Sequence, residues 1–229
     1  HESYEIIHPL IPEKLVAGSR YTIRTEIRNS GQTILRAEDD YTLTIPENNG
    51  FAISEVTLPT IEPGQKGELR FTLLVPQSPG QTNVTIGITH NHRTIPLESR
   101  QVTIIPPPNL TLQLNLGWRK TSDAQNVKVL LYKKDQLIHE FPGQTLAGGR
   151  ITIKEILDIV PGEQYRVVAI VPNYLPRQKL QTIGEGTTLI QLSRFLPLDF
   201  ENDGAFTVGD IITLINTPPH AVLSRFFGP

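Results

Sequence analysis

From Tyr21 to Arg28, apolar and polar side chains alternate. Tyr21, Ile23 and Ile27 fall on one face; Thr22, Arg24, Glu26 and Arg28 fall on the other. Residues two apart share a face only in an extended chain, so the stretch predicts a half-buried strand. The same period returns at Leu69, Phe71, Leu73 and Val75, and at Val84, Ile86 and Ile88. Between these runs stand NSGQ, PENNG, EPGQ and QSPGQ, rich in residues that turn the backbone. Strands at this spacing, with no helical period between them, predict a β-sandwich.

A second set begins after TIIPPPNLTL, where Pro106, Pro107 and Pro108 favour a stiff, extended connection. Leu110, Leu112, Leu114 and Leu116 alternate with Thr111, Gln113 and Asn115. NVKVLLYK, RITIKEI, VPGEQYRVVAIVPNYL, KLQTI and TTLIQL follow, with Tyr165, Val167, Ala169 and Val171 on one side of the fourth. About seven short strands predict another sandwich. The expectation is an all-β chain: one Ig-like sandwich over residues 1–106, a second over 107–195, and a separate tail over 196–229.

The tail breaks the pattern. LPLDFENDGAFTVGDIITLI places acids at alternate positions around a glycine and then turns apolar. Counted from Asp199, the loop has Glu201 at position 3, Asp203 at 5, Gly204 at 6, Ala205 at 7, Thr207 at 9 and Asp210 at 12. That is the spacing of a calcium loop. Alternate residues of a tight loop converge, glycine allows the bend, and position 7 need offer only its carbonyl. The expected ligands are Asp199, Glu201, Asp203, Ala205, Thr207 and Asp210, with Ca2+ as the ion. Phe206 is expected in the core below it. A short helix should bury Ile211, Leu214 and Ile215, and pin Phe226 and Phe227 against the second sandwich. The plainer alternative is a solvated acidic turn.

Three stretches carry resemblances. AGSRYTIRTEIRNSGQT, LPTIEPGQ and VPQSPG resemble an Ig-like module of bacterial extracellular proteins, over roughly residues 12–105. Ile34 and Leu35 stand where that pattern carries tryptophan. VPGEQYRVVAIVPNYLPRQ is similar to the transthyretin-like sandwich of carboxypeptidase-regulatory and collagen-adhesin type. Related sandwiches form internal Lys–Asn isopeptide bonds, a role open here to Lys120, Lys128 or Lys154. The tail resembles a single dockerin repeat, with Asp rather than Glu at position 12. Dockerins meet cohesins through polar residues at loop positions 10 and 11; here those are Val208 and Gly209. The resemblances imply spacer, adhesive or interaction modules.

Composition narrows the classes. A net charge of −2 leaves no basic footprint for nucleic acid. No apolar run reaches the length of a membrane span. The chain has neither cysteine nor methionine, so thiol chemistry is absent. A first residue other than Met suggests export with a signal peptide removed, or trimming. His1 with His90 and His92 could form a copper site, against the plainer reading of a chain end and a hairpin tip. Asp39 and Asp40 read as a solvated turn. Trp118 and Tyr174 read as core or rim aromatics, with a sugar platform as the alternative. Asn83 and Asn109 begin N-glycosylation sequons. The expected function is non-enzymatic: an extracellular structural or adhesive protein of the cell surface, such as a fibre subunit. The alternative is an accessory module of a secreted cohesin–dockerin complex. Residues 1–12 are expected to pair as an edge strand, either internally or with a neighbour, giving self-association or binding to another surface protein.

Overall fold

The computed structural model describes residues 1–7, 11–47 and 49–217. The described chain is mostly β, with one short α-helix. Its packing separates two compact units. The first holds His1–Pro107 with Leu157–Pro161; the second holds Pro108–Ile156 and the chain from Gly162 onward.

Among its described residues the first unit has two four-stranded sheets. One orders β1 (Tyr4–Ile6), β3 (Arg20–Asn29), β6 (Lys66–Leu74) and β5 (Ala52–Thr57). The other orders β2 (Lys14–Val16), β8 (Arg93–Ile105), β7 (Gly80–His90) and β4 (Thr42–Thr44). The alternation in β3 carries through: Tyr21, Ile23 and Ile27 are buried while Arg20, Thr22, Arg24 and Arg28 are exposed. Leu69, Phe71 and Leu73 of β6 meet Val84, Ile86 and Ile88 of β7 in one core. Asn29 ends β3 inside this core. Its Nδ2 donates to the carbonyls of Thr33 (2.7 Å) and Ile61 (3.0 Å), and its Oδ1 accepts from Gly31 N (3.0 Å). Both ends of the amide are thereby satisfied, as burial demands.

The N-terminal strand pairs internally. β1 runs antiparallel to β3, with Tyr4 opposite Asn29. The chain before it crosses Gly31 so closely that a Cβ there would lie 2.5 Å from the His1 carbonyl oxygen. Glu2 fixes the crossing from the other side. Its Oε1 accepts from Tyr41 Oη (2.7 Å) and lies 2.6 Å from His90 Nδ1, while the Tyr41 and His90 rings stack at 4.0 Å. The Tyr41 and His90 hydrogen bonds hold the Glu2 carboxyl below its ordinary value despite its burial.

Among its described residues the second unit has seven strands. β11 (Gln136–Leu146), β10 (Ala124–Lys133), β13 (Gln164–Ile170) and β14 (Arg177–Thr182) form one sheet; β12 (Arg150–Ile153), β9 (Asn109–Gln113) and β15 (Thr187–Gln191) form the other. Leu110 and Leu112 of β9, with Leu114 and Leu116 beyond it, are all at most 2% exposed. Tyr165, Val167 and Ala169 of β13 face them from the opposite sheet's buried side, with Val171 just after. β15 pairs with β9 in parallel, and so does β2 with β8 in the first unit.

Candidate functional site: the acidic loop

The loop is approached from a buried anchor. Phe195 is fully buried; its N–H donates to Asn115 O and its carbonyl accepts from Gly117 N, both at 2.9 Å. Leu175 N donates to Leu196 O (3.0 Å), so the chain enters the loop fixed to the second unit.

Asp199 is 2% exposed. Its Oδ1 accepts from Asp203 N (3.0 Å) and its Oδ2 from Gly204 N (3.1 Å), which folds the backbone around the carboxylate. Asp203 Oδ1 accepts from Ala205 N (2.9 Å), making the next turn. Gly204 has φ 88°, a left-handed conformation that favours glycine. Burial raises the Asp199 carboxyl above its ordinary value, and the negative charges of Asp210 and Asp203 add to the rise. The two backbone hydrogen bonds oppose it.

Asp210 is fully buried and plays a different part. Its Oδ1 accepts from Phe200 N (2.7 Å) and Glu201 N (3.2 Å), its Oδ2 from Thr207 N (2.7 Å) and Thr207 Oγ1 (3.3 Å). A carboxylate offers about four lone-pair sites, and all four are used. These bonds, the one from Thr207 N foremost, lower its pKa against the effect of burial. Thr207 in turn accepts from Gly209 N (3.1 Å) and caps the helix α1 (Val208–Asn216) in a reciprocal capping box with Asp210. The string T-V-G-D carries that signal in the sequence, where loop numbering reads the same aspartate as a ligand.

The remaining expected ligands are spread. Glu201 Oε1 accepts from Thr213 Oγ1 (3.3 Å), and the carboxylate lies against Gly209, where a Cβ would come within 2.1 Å of it. Ala205 is exposed, and so is the side chain of Thr207 apart from its cap. Among the described residues no three of His, Cys, Asp and Glu are grouped closely enough to hold a metal as they stand. Asn202 was not among the expected site residues; it has φ 58° and its Oδ1 accepts from Asn173 N (2.6 Å), tying the loop to the turn after β13.

Two expectations about packing are corrected. Phe206 does not enter the core; it is half exposed beside Pro176 and Arg177, and Phe200 is the buried aromatic. Ile211, Leu214 and Ile215 are not buried either, and Ile215 is 75% exposed. The helix buries Asp210 alone. The reason is that its attachment is polar: the carboxylate hangs the helix by backbone hydrogen bonds, so no apolar face need be covered to hold it. Phe226 and Phe227 lie outside the described residues.

The other candidates separate as well. Both ring nitrogens of His90 have neighbours, Glu2 at 2.6 Å and Asn91 Nδ2 at 3.1 Å, and His92 is exposed at a φ of 64°. Asp39 and Asp40 are exposed around a 3-10 turn. Lys120 and Lys154 are exposed, and Lys128 pairs with Glu140 at 2.9 Å, so no isopeptide lysine lies in the core. Tyr174 is buried with its Oη donating to Gly117 O (3.1 Å), whereas Trp118 is exposed.

No family model matches the chain, and no curated protein matches it. Solved structures give low-identity matches. The Bacillus anthracis TIE protein is 11% identical with a TM-score of 0.30, over 85% of this chain and 40% of that one. A type II cohesin–X-dockerin complex from Acetivibrio cellulolyticus is 14% identical with a TM-score of 0.35, over 53% of this chain and 96% of that one. The Yersinia pseudotuberculosis adhesin InvE is 15% identical with a TM-score of 0.27, over 80% of this chain and 58% of that one. The chain thus spans two fifths of the length of the first. No helix among the described residues is long and apolar enough to cross a membrane.

Proposed function

We propose that this chain is a non-enzymatic, exported structural or adhesive protein of the cell surface, a fibre subunit or adhesin, whose tail is stapled by calcium. The observation that supports the staple is Asp199. A buried carboxylate is wrapped by backbone N–H groups and repelled by the negative charges of Asp203 and Asp210. A divalent cation would relieve that repulsion, and the loop offers it only oxygens, the donors that calcium prefers. Asp199, Glu201, Asp203 and Asp210 would supply carboxylates, Thr207 its hydroxyl and Ala205 its carbonyl. Glu201 would have to leave Thr213, and Asp210 would have to exchange a bond from Thr207. A ligand present at about 100 times its dissociation constant adds roughly 2.7 kcal/mol to a fold that it alone recognises.

The test is thermal melting and limited proteolysis of the whole chain in calcium and in chelator. Calcium is expected to raise the melting point and protect the chain after residue 195, and Asp203→Ala to remove both effects. If chelator changes neither, the loop is a hydrogen-bonded turn and the staple is wrong.

A second function is favoured by one observation, the uncovered Val208, Ile212 and Ile215 of α1. It is an accessory role in a secreted cohesin–dockerin complex, with this helix as the docking element. Retention on an immobilised cohesin, lost on Ile215→Asp, would select it over the first.

A further inference from the structure

The chain leaves the second unit after Ile156, joins the first as Leu157–Pro161, and returns to the second at Gly162. These residues form a tongue between β12 and β13. Both of its ends are pinned inside the second unit. Ile156 N donates to Pro108 O (2.9 Å) and Gly162 N to Ile183 O (2.8 Å). Just before the tongue, Glu155 N donates to Asn109 Oδ1 (3.0 Å).

The middle of the tongue is built into the first unit. Asp158 has a φ of 55°, in the left-handed region that aspartate tolerates better than most residues. From there its backbone and its carboxylate both reach the start of β3. Asp158 N donates to Ser19 Oγ (2.8 Å), and Asp158 Oδ1 accepts from Arg20 N (2.7 Å). Next along the tongue, Ile159 O accepts from Tyr21 Oη (2.6 Å), and that hydroxyl accepts in turn from Val16 N (2.9 Å). Ser19 is 1% exposed and Ile159 is not exposed at all. Val160 packs against the core of the first unit.

Withdrawing the tongue would be costly on both sides. Ser19, Arg20 and Tyr21 would each give up a hydrogen-bond partner, at positions where water replaces it poorly. Ile159 and Val160 would return apolar surface to water. The tongue is also in place only while its ends are held, because a free segment would first have to be ordered. Folding of the second unit therefore pre-orders a piece that the first unit needs. We infer that Leu157–Pro161 is an interlock: it completes the first unit from within the sequence of the second, so that the two unfold in one cooperative step. The inference goes beyond the proposed function and does not depend on calcium in the tail.

The test is amide exchange of the whole chain against denaturant, followed by NMR. In the unmodified chain, the slow amides of β6 and β7 should share one unfolding midpoint with those of β10 and β13. Asp158→Gly removes the carboxylate without straining the left-handed backbone. It should speed exchange of the Arg20 amide by about tenfold, as the loss of one hydrogen bond predicts, and split the midpoint in two. Asp158→Asn keeps Oδ1 as an acceptor and should retain one midpoint. Tyr21→Phe keeps the ring but loses the hydroxyl that holds Ile159 O, and should split the midpoint by less. Two midpoints in the unmodified chain would overturn the interlock. So would one midpoint retained in both Asp158→Gly and Tyr21→Phe, or a split in Asp158→Asn as wide as in Asp158→Gly. An Arg20 amide unchanged in Asp158→Gly would overturn the contact itself.

Discussion

In β9, Leu110 and Leu112 point into a core and neither is exposed at all. In α1 the order is reversed: Asp210 is inside and Ile215 is out. Both elements are held to the same unit, by different forces. The strand is held by apolar area withdrawn from water, a non-directional term that grows with the surface covered. Among the described residues the helix is held by directed bonds to two carboxylates: Asp210 fixes its start and Glu201 accepts from Thr213 Oγ1 on its flank, while its apolar side chains stay exposed. What fastens an element therefore decides what a substitution in it costs.

The largest contrast comes from trimming one side chain in each. Leu112→Ala opens a cavity that the sheets cannot close and should cost about 2–5 kcal/mol in denaturant unfolding. Ile215→Ala, in the helix, should stay within about 0.5 kcal/mol. Equal costs would show that the helix is covered in solution and that its attachment is apolar after all. A smaller effect is expected from Thr207→Ala, which removes the helix cap. It should cost about 1 kcal/mol. The loss should be seen as faster amide exchange over residues 208–216, with β9 unchanged.

The smallest effect tests a second polar fastening, Glu2 beneath Tyr41 and His90. Its carboxyl is lowered in the folded chain, so the stability it contributes is present above the ordinary carboxylate value. That stability is lost as pH falls through the lowered one. Glu2→Gln should therefore lower the melting point slightly at pH 7 and flatten the acid limb of a melting-versus-pH curve below about 4.5. An unchanged acid limb would mean that Glu2 does not hold the N-terminal crossing.

The contrast also marks where the sequence stops being legible. Alternation in β3, β6, β7, β9 and β13 names the buried face because a sandwich always covers one face of each strand. In α1 the same logic names Ile211, Leu214 and Ile215 as the apolar stripe, correctly as a pattern, but periodicity says nothing about whether anything lies over it. The loop acids have a related ambiguity. An aspartate three residues after Thr207 is both the twelfth position of a calcium loop and the third position of a helix, and spacing alone cannot separate the two. Asn202 gave no signal at all, since its partner, the backbone N–H of Asn173, is 29 residues away and any residue but proline could supply it. Trp118 was legible only as a lone aromatic; its positive φ belongs to tertiary structure.

The parallel pairing of β15 with β9 has a mechanical meaning. The chain enters this unit's sheet at Asn109 and leaves it at Gln191, and the two strands lie in register from Thr187 opposite Asn109 to Gln191 opposite Gln113. A pull along the chain draws the start of β9 and the end of β15 in opposite directions, along the strands and across their hydrogen bonds. The bonds of the ladder then take the load together in shear, where an antiparallel hairpin pulled from its open end would give way one bond at a time. β2 and β8 repeat the geometry in the first unit, with Lys14 to Val16 beside Thr103 to Ile105.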